Sequence, residues 1–356
     1  MPAQDSTPNP ALDRYRRQTR YQPFGEAGQS RLLASRVLVC GCGALGSVIA
    51  ETMVRAGVGF VRVVDRDFLE LDNLHRQVLF DEADVAAGLP KAAAAATHLR
   101  QINSQVDVEP VVEDVTHQNI RRLADDADLL LDGTDNFQTR YLLNDYALWA
   151  GKPWVYGGCI GAEGQTMTIL PDITPCLACV MPEPPPASVT PTCETAGVLG
   201  PIVHVIASLQ AMEGLKILSG HPEARNPGLT VVDLWHYQLR SVGLAALTGN
   251  KDCPVCKHRD FAWLDGRRGA AAISLCGRNA VQISANLDMA SGCQPQQLDV
   301  LAEKLRSVGE VTSNPFMVRL AVAGYVISIF ADGRAIVSGT DDISVARAVH
   351  ARYVGA

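Results

Sequence analysis

The run RVLVC (36–40) is apolar and stops at the loop GCGALG (41–46), which opens the helically spaced segment ALGSVIAETMVRAG. Few folds accommodate a strand, a Gly-x-Gly-x-x-Gly loop and a helix in that order. Gly41 permits a tight turn, Gly43 lets a phosphate approach the backbone, and Gly46 lets the helix pack close. The helix N-terminus then favours an anion. A second strand, FVRVVD (60–65), ends in Asp65, 24 residues after Gly41, where a carboxylate can accept bonds from ribose hydroxyls. The loop fits either a plain strand-to-helix turn or a nucleotide site. By itself it does not separate NAD from ATP.

Strands and helices continue to alternate. PKAAAAATHLRQIN (90–103) has proline at a helix start, DVEPVVE and DLLLDGTD (128–135) are strands, and NFQTRYLLNDYALWAG is a helix stopped by Gly151. The pattern predicts an α/β fold, a Rossmann-like, doubly wound, mainly parallel sheet. WVYGGCIGAEGQTMTILP (154–171) reads as two extended segments joined through glycines. GPIVHVIASLQAMEGLKILSG (200–220) is apolar nearly all round and is expected to be a buried helix. The proline-rich stretch within 182–192 is expected to be a mobile crossover loop. LTVVDLW and QLRSVGLAAL are late strands. From about 270 the texture changes to a small α+β domain. Domains are expected at 1–11 (disordered tail), 12–257 (nucleotide domain), 258–271 (linker) and 272–356.

Of the 356 residues, 47% are hydrophobic and 19% charged, which supports a core and excludes collagen-like, low-complexity and wholly disordered chains. A formal net charge of −7 gives no global attraction to nucleic acid or anionic lipid. No unbroken apolar run has membrane-spanning length, and the polar start lacks a signal-peptide core. The expectation is a cytoplasmic protein with neither membrane nor nucleic acid as partner.

Charges gather near the carboxyl ends of the predicted strands. Asn73, Arg76 and Gln77 lie just beyond the second strand, and Lys91 opens the next helix. Two cations beyond the loop and helix dipole suit a triphosphate better than a dinucleotide. Asp135 ends a later strand, where a carboxylate could hold Mg²⁺. Taken singly, each of these charges also reads as a solvated surface residue.

Ten cysteines in a chain of this class point to metal or catalysis before disulfides. Cys176-x-x-Cys179 and Cys253-x-x-Cys256 supply four thiolates, which meet the tetrahedral demand of structural Zn²⁺ with no ligand position left for water. Pro254 tightens the second turn. The alternative is a disulfide or redox pair. Cys193, in TPTCETAGVLGP, is either a nucleophile on a mobile loop or an incidental thiol.

The ordered series RYRRQ, GEAGQ, VLVCGCGALGS, AGVG, DRD, DNLHRQ, GLPK, DGTDN, CLAC, TCETAGVLGP and CPVC spans about residues 14–257. It resembles the ThiF/MoeB/HesA family, relatives of the ubiquitin-activating enzymes. The resemblance implies ATP- and Mg²⁺-dependent adenylylation of the C-terminal glycine of a ubiquitin-like sulfur-carrier protein ending in Gly-Gly. A sulfurtransferase would be a further partner. It implies that the backbone at Gly43 and Ala44 cradles phosphate, that Asp65 holds the ribose, and that Asp67 of the DRD motif belongs to the same nucleotide set. Asn73, Arg76, Gln77 and Lys91 would serve the triphosphate, and Asp135 with Asn136 the magnesium and α-phosphate. Arg17 would reach a neighbouring subunit's ATP site in a homodimer. Read from the residues alone, Arg14, Arg16, Arg17 and Arg20 are a solvated helix face. In similar enzymes the cysteine at position 193 is a candidate for a thioester, acyl-disulfide or persulfide step.

The chain departs from the family in two places. Gly43-Ala44 stands where a Gly pair is common. Asp72 stands where serine is usual, and a carboxylate there is expected to point away from phosphate. The C-terminal region resembles the extra module of longer, Bacillus-type relatives. It lacks a CRxxG-like rhodanese loop and ends YVGA, so neither an in-cis sulfurtransferase nor a fused carrier is expected. The rival readings are an NAD-dependent oxidoreductase, a non-catalytic nucleotide-binding scaffold, or another reaction of the superfamily such as peptide-tail adenylation or tRNA-base dehydration.

Overall fold

A computed structural model describes residues 10–185, 193–268, 272–275, 279–283, 295–330 and 333–355, with only the backbone at residues 10, 11, 193, 194, 272–275 and 295–297. Expectations for residues 1–9, for the crossover segment 186–192, and for the side chain of Cys193 fall outside the described residues. The chain divides into two compact units, Met1–Arg267 and Arg268–Ala356.

The first unit is built on eight strands. In chain order they are β1 (Arg36–Cys40), β2 (Phe60–Val64), β3 (Asp107–Val111), β4 (Leu129–Asp132), β5 (Trp154–Ile160), β6 (Glu163–Ile169), β7 (Leu229–Asp233) and β8 (Gln238–Val242). Their order across the sheet is β3-β2-β1-β4-β5-β6-β7-β8. The first five are parallel, with Val37 in register with Val61 on one side and Leu129 on the other. The last three run antiparallel. β1, β2 and β4 are mostly apolar, with Arg62 the interruption within β2, because helices cover both faces. Val39, Val61 and Leu131 point to the helices Ala44–Ala56, Lys91–Ile102 and Gly200–Leu218. Leu38, Cys40 and Leu130 point to Ile120–Ala124 and Phe137–Ala150. The expected doubly wound sheet is what forms.

The helix Gly200–Leu218 lies low on β5 and β6 because glycines make room for it. A Cβ at Gly157 would sit 2.3 Å from Gln210, and one at Gly164 2.5 Å from Ile206. Its apolar composition predicts burial all round. Instead only one side is buried, and Pro201, His204, Ser208 and Met212 are exposed. By length and composition alone this helix would also suit a membrane span, but half of it is buried against the sheet and its neighbours.

Residues 258–267, expected as linker, belong to the first unit. Phe261 and Leu264 are buried. The Trp263 ring lies 5.6 Å from that of Tyr141. The backbone N–H groups of Trp263 and Leu264 donate to Asp145 on the helix Phe137–Ala150, at 2.9 and 3.4 Å. Few polar residues separate these anchors, so the stretch reads as loop from sequence while its aromatic residues complete a core.

The second unit is a six-stranded antiparallel sheet with strands β9 (Ala272–Leu275), β10 (Ala280–Ile283), β11 (Glu310–Asn314), β12 (Met317–Val322), β13 (Tyr325–Phe330) and β14 (Ala335–Ser338). Their order is β11-β12-β13-β14-β10-β9. Val281, Val318, Leu320, Ile327 and Val337 pack against Leu298, Ala302, Ala346 and Val349 of the helices Pro295–Leu305 and Ile343–Tyr353. The α+β expectation holds for this unit. Sequence reading missed β11, an edge strand whose residues are mostly exposed and carry no apolar alternation.

Candidate active site

The glycine loop is set by close backbone contacts. The Gly41 N–H donates to the Val64 carbonyl at 2.7 Å, and the Gly133 N–H donates to the Cys40 carbonyl at 2.7 Å. Gly41 has φ +84°, a conformation that favours glycine. A Cβ at Gly46 would stand 1.9 Å from the Gly41 carbonyl oxygen, so that residue lets the helix Ala44–Ala56 descend onto the turn. Gly43 differs, since a Cβ there would have only the Gln77 amide nitrogen near it, at 3.9 Å. This leaves an open cradle in front of a helix N-terminus with no side-chain cap.

Asp65 closes the loop from below. Its carboxylate accepts the Cys42 N–H at 2.6 Å and the Asp67 N–H at 2.7 Å. Burial pushes this carboxyl up, and the nearby Lys91 ammonium pulls it back. Lys91 is only 4% exposed and places its ammonium 3.3 Å from Asp67. Such a partner offsets part of the cost of burying a lysine this deep.

Asn73 and Gln77 are also buried beside the loop. Among the described residues, the side-chain carbonyl oxygens Asn73 Oδ1 and Gln77 Oε1 have no hydrogen-bond partner. Buried acceptors left open in a cradle suit ligand hydroxyls or phosphate-bound water. The Arg76 guanidinium donates to the Asp72 carbonyl at 2.6 Å. The Asp72 carboxylate is occupied by the Asn73 amide at 2.7 Å on an exposed residue.

Asp135 is exposed just past β4, and its charge helps hold up the pKa of both Arg66 and Arg140. The Asn136 side-chain oxygen Oδ1 accepts the Thr139 N–H at 2.8 Å and caps the helix Phe137–Ala150, so that oxygen is engaged in the fold. Sequence reading missed the support beneath this loop. Asp132 is fully buried and pairs with Arg140 at 3.3 Å. Arg140 also donates to the carbonyls of Thr134 at 2.7 Å and Gly157 at 3.0 Å, tying the loop to β5. Burial works against the Arg140 charge, but the Asp132 carboxylate more than offsets this and holds the guanidinium above its ordinary range. The available signal was a carboxylate ending an otherwise apolar strand.

Arg17 stands elsewhere. Its neighbour Gln18 donates to the Ala56 carbonyl at 3.0 Å, and the Tyr15 ring is buried against Gly57. Both anchors mark the C-terminal end of the helix whose N-terminal end forms the phosphate cradle. That helix is about 18 Å long at about 1.5 Å per residue. An arginine side chain spans about 7 Å, so Arg17 does not reach the cradle of its own chain. It is exposed, with no ion pair or hydrogen bond among the described residues.

The four cysteines of the CxxC pairs converge. All four Sγ atoms lie within 4.8 Å of one another, with separations of 3.8 Å (Cys176–Cys179), 3.7 Å (Cys176–Cys253) and 3.4 Å (Cys179–Cys256). These distances are far beyond a disulfide bond. A tetrahedron with metal–sulfur bonds of about 2.3 Å has edges of about 3.8 Å, so the cage fits a zinc-like ion. Cys40 and Cys42 are fully buried, and burial pushes both thiols up, which makes them inert. Cys193 begins the short helix Cys193–Ala196. The chain then passes the Arg76 turn, where Gly200 lies against the His75 carbonyl and His75 faces the Val198 carbonyl at 3.4 Å.

A glycine cradle at the carboxyl end of a doubly wound sheet, with cations and a carboxylate gathered around it, defines a nucleotide-binding α/β protein. The ThiF family matches residues 15–255, and the chain belongs to that family. It is 41% identical to the sulfur carrier protein ThiS adenylyltransferase of Bacillus subtilis strain 168, over 96% of this chain and 99% of that one. It is also 41% identical to the SAMP-activating enzyme E1 of Haloferax volcanii, over 69% of this chain and 88% of that one. The fold is shared with a crystal structure of E. coli MccB with ATP, at a TM-score of 0.60 and 23% identity over 68% of this chain and 74% of that one.

Proposed function

We propose that this chain is an adenylyltransferase that activates the C-terminal glycine of a ubiquitin-like sulfur-carrier protein with ATP. The full-length match to a ThiS adenylyltransferase supports the substrate class. The observation that carries the chemistry is the cradle itself, with Gly43 open and Lys91, Asn73 and Gln77 buried beside it. A buried lysine beyond the loop and helix dipole suits a triphosphate better than a pyrophosphate, and titration with NADH against ATP separates the two readings.

The carrier's terminal carboxylate is already a nucleophile at neutral pH, so the reaction needs no general base. It attacks the α-phosphorus and pyrophosphate leaves. The protein aligns the two and neutralises charge. In this reading Asp65 orients the ribose, Asn73, Arg76, Gln77 and Lys91 meet the phosphates, and Asp135 holds Mg²⁺. Magnesium would supply charge neutralisation on the phosphoryl oxygens. Arg17 would act in the site of a second copy, a reading supported by its distance from its own cradle. Zinc in the four-cysteine cage would be structural, since all four positions are taken.

Cys193 is a candidate for a later sulfur-transfer step. Carrier-dependent ATP–pyrophosphate exchange tests the first step, and carrier mass tests the second. Cys193→Ala is expected to keep exchange while thiocarboxylate formation falls. Loss of both would remove the division of labour.

A further inference from the structure

Among the described residues, Arg76 is a cation held without an anion. Its Nη1 donates to the Asp72 carbonyl at 2.6 Å and lies 3.4 and 3.5 Å from Nδ1 and Nε2 of His75. Every side-chain hydrogen bond it makes to the described residues falls on Nη1, and the Asp72 carboxylate is taken by the Asn73 amide at 2.7 Å. The Nε and Nη2 donors of the guanidinium are left for a ligand. The next residue, Gln77, borders the open face of Gly43, so this arginine stands at the cradle.

The His75 ring supplies the seat. An atom almost equidistant from both ring nitrogens at these distances would run into Cε1 if it approached in the ring plane, so Nη1 stands over the ring face. Guanidinium groups stack readily on such a face. The ring itself is fixed. Its Nδ1 lies 2.8 Å from the same Asp72 carbonyl, which can only accept, so Nδ1 donates. One carbonyl oxygen thus gathers the imidazole and the guanidinium on its two lone pairs. On the far side, Nε2 faces the Val198 carbonyl at 3.4 Å, and a Cβ at Gly200 would stand 3.0 Å from the His75 carbonyl oxygen. Gly197 and Leu199 are in turn bonded to Gly161 at the β5–β6 turn, both at 2.8 Å. The seat is braced by the segment that follows Cys193.

We infer that His75 is a positioning residue for Arg76: its ring holds the guanidinium at the cradle with the charge uncompensated. A carboxylate partner would fix the side chain equally well, but it would cancel the charge that a triphosphate needs. A ring face and a backbone carbonyl fix the geometry and leave the charge in place before any ligand arrives. The role asks no contact with substrate from His75 itself. The inference rests on the reading in which Arg76 meets the phosphates, and it adds what aims that residue.

The affinity of the full chain for ATP, read by titration calorimetry, tests it. Arg76→Ala sets the full loss. His75→Ala is expected to weaken ATP binding by about five- to tenfold, with an unchanged melting temperature because His75 is exposed. His75→Phe, which keeps a ring face, is expected to bind within about twofold of the parent. His75→Gln, which keeps a donor for the Asp72 carbonyl but no ring, is expected to bind like His75→Ala. In the Arg76→Ala background, His75→Ala should cost nothing further, since what it positions is gone. His75→Ala binding ATP like the parent, while Arg76→Ala does not, would overturn the inference. An equal loss from His75→Ala in both backgrounds would overturn it too, because the ring would then act through something other than Arg76. So would a His75→Phe chain as weak as His75→Ala. Arg76→Ala binding ATP like the parent would instead remove the reading in which that arginine meets the phosphates.

Discussion

The parallel and antiparallel halves of the eight-stranded sheet use their residues differently. In β1, β2 and β4 most side chains are buried, and the carboxylates Asp65, Asp132 and Asp135 gather at the carboxyl ends, while Arg36 and Arg62 pair with Asp126 away from them. Toward β8 exposure rises until every residue of that strand faces solvent. The first half places its carboxylates at the end that carries the glycine loop. The second half instead offers platform and surface: glycines at 157 and 164 seat a helix, and the cysteine cage pins the chain's return.

The comparison can be broken most strongly at the cage. A structural four-thiolate zinc contributes on the order of 10 kcal/mol to the fold around it. Cys253→Ser, or chelation under mild denaturant, should therefore release residues 253–267 from the helix Phe137–Ala150. Loss of zinc by atomic absorption and new hydrogen exchange at Trp263 would show it, with β1–β4 protected throughout.

At the other edge, Asp135→Ala should cut ATP–pyrophosphate exchange by about 10²–10³-fold with little change in melting temperature, as expected for an exposed group acting on developing charge. Unchanged exchange would remove the metal assignment.

A pH effect should distinguish the halves next. Burial pushes the Asp145 carboxyl up to about 6. The folded chain thus binds this proton more tightly than the unfolded chain. Its stabilising contribution is complete below about pH 4 and is lost as pH rises through about 6, a change of about 3 kcal/mol. Asp145→Asn should flatten that slope in urea titrations at pH 4.5 and 7. A slope identical to the parent's would remove the assignment.

Smallest is the contrast within the loop. Gly46→Ala forces a methyl against the Gly41 carbonyl and should cost about 1–3 kcal/mol of stability. Gly43→Ala meets nothing within 3.4 Å and should melt like the parent while weakening ATP binding.

Local patterns made much of this legible. β1 and β2 fall where the apolar runs stop, and the four cysteines announce their cage by spacing alone. What sequence hid was relational. Arg140 looks like one more polar residue on a helix until β5 brings the Gly157 carbonyl to it. The helix Gly200–Leu218 looks uniformly apolar, and only the sheet decides which side is covered. Asn136 sits in a nucleotide motif, yet its oxygen is taken by the next helix. Residues 258–267 lack periodicity because two aromatic anchors, not a repeat, hold them.

Cys176 and Cys253 are 77 positions apart and end 3.7 Å from each other. With a metal at that junction, everything from β7 and β8 back through the crossover becomes a closed ring hanging from one knot. A protease that severs the ring at a single bond leaves both new ends tied to the same sulfurs. Such a nicked protein should still migrate as one body under native conditions, held by the ion and by the packing of the helix Gly200–Leu218 and β7 on the sheet.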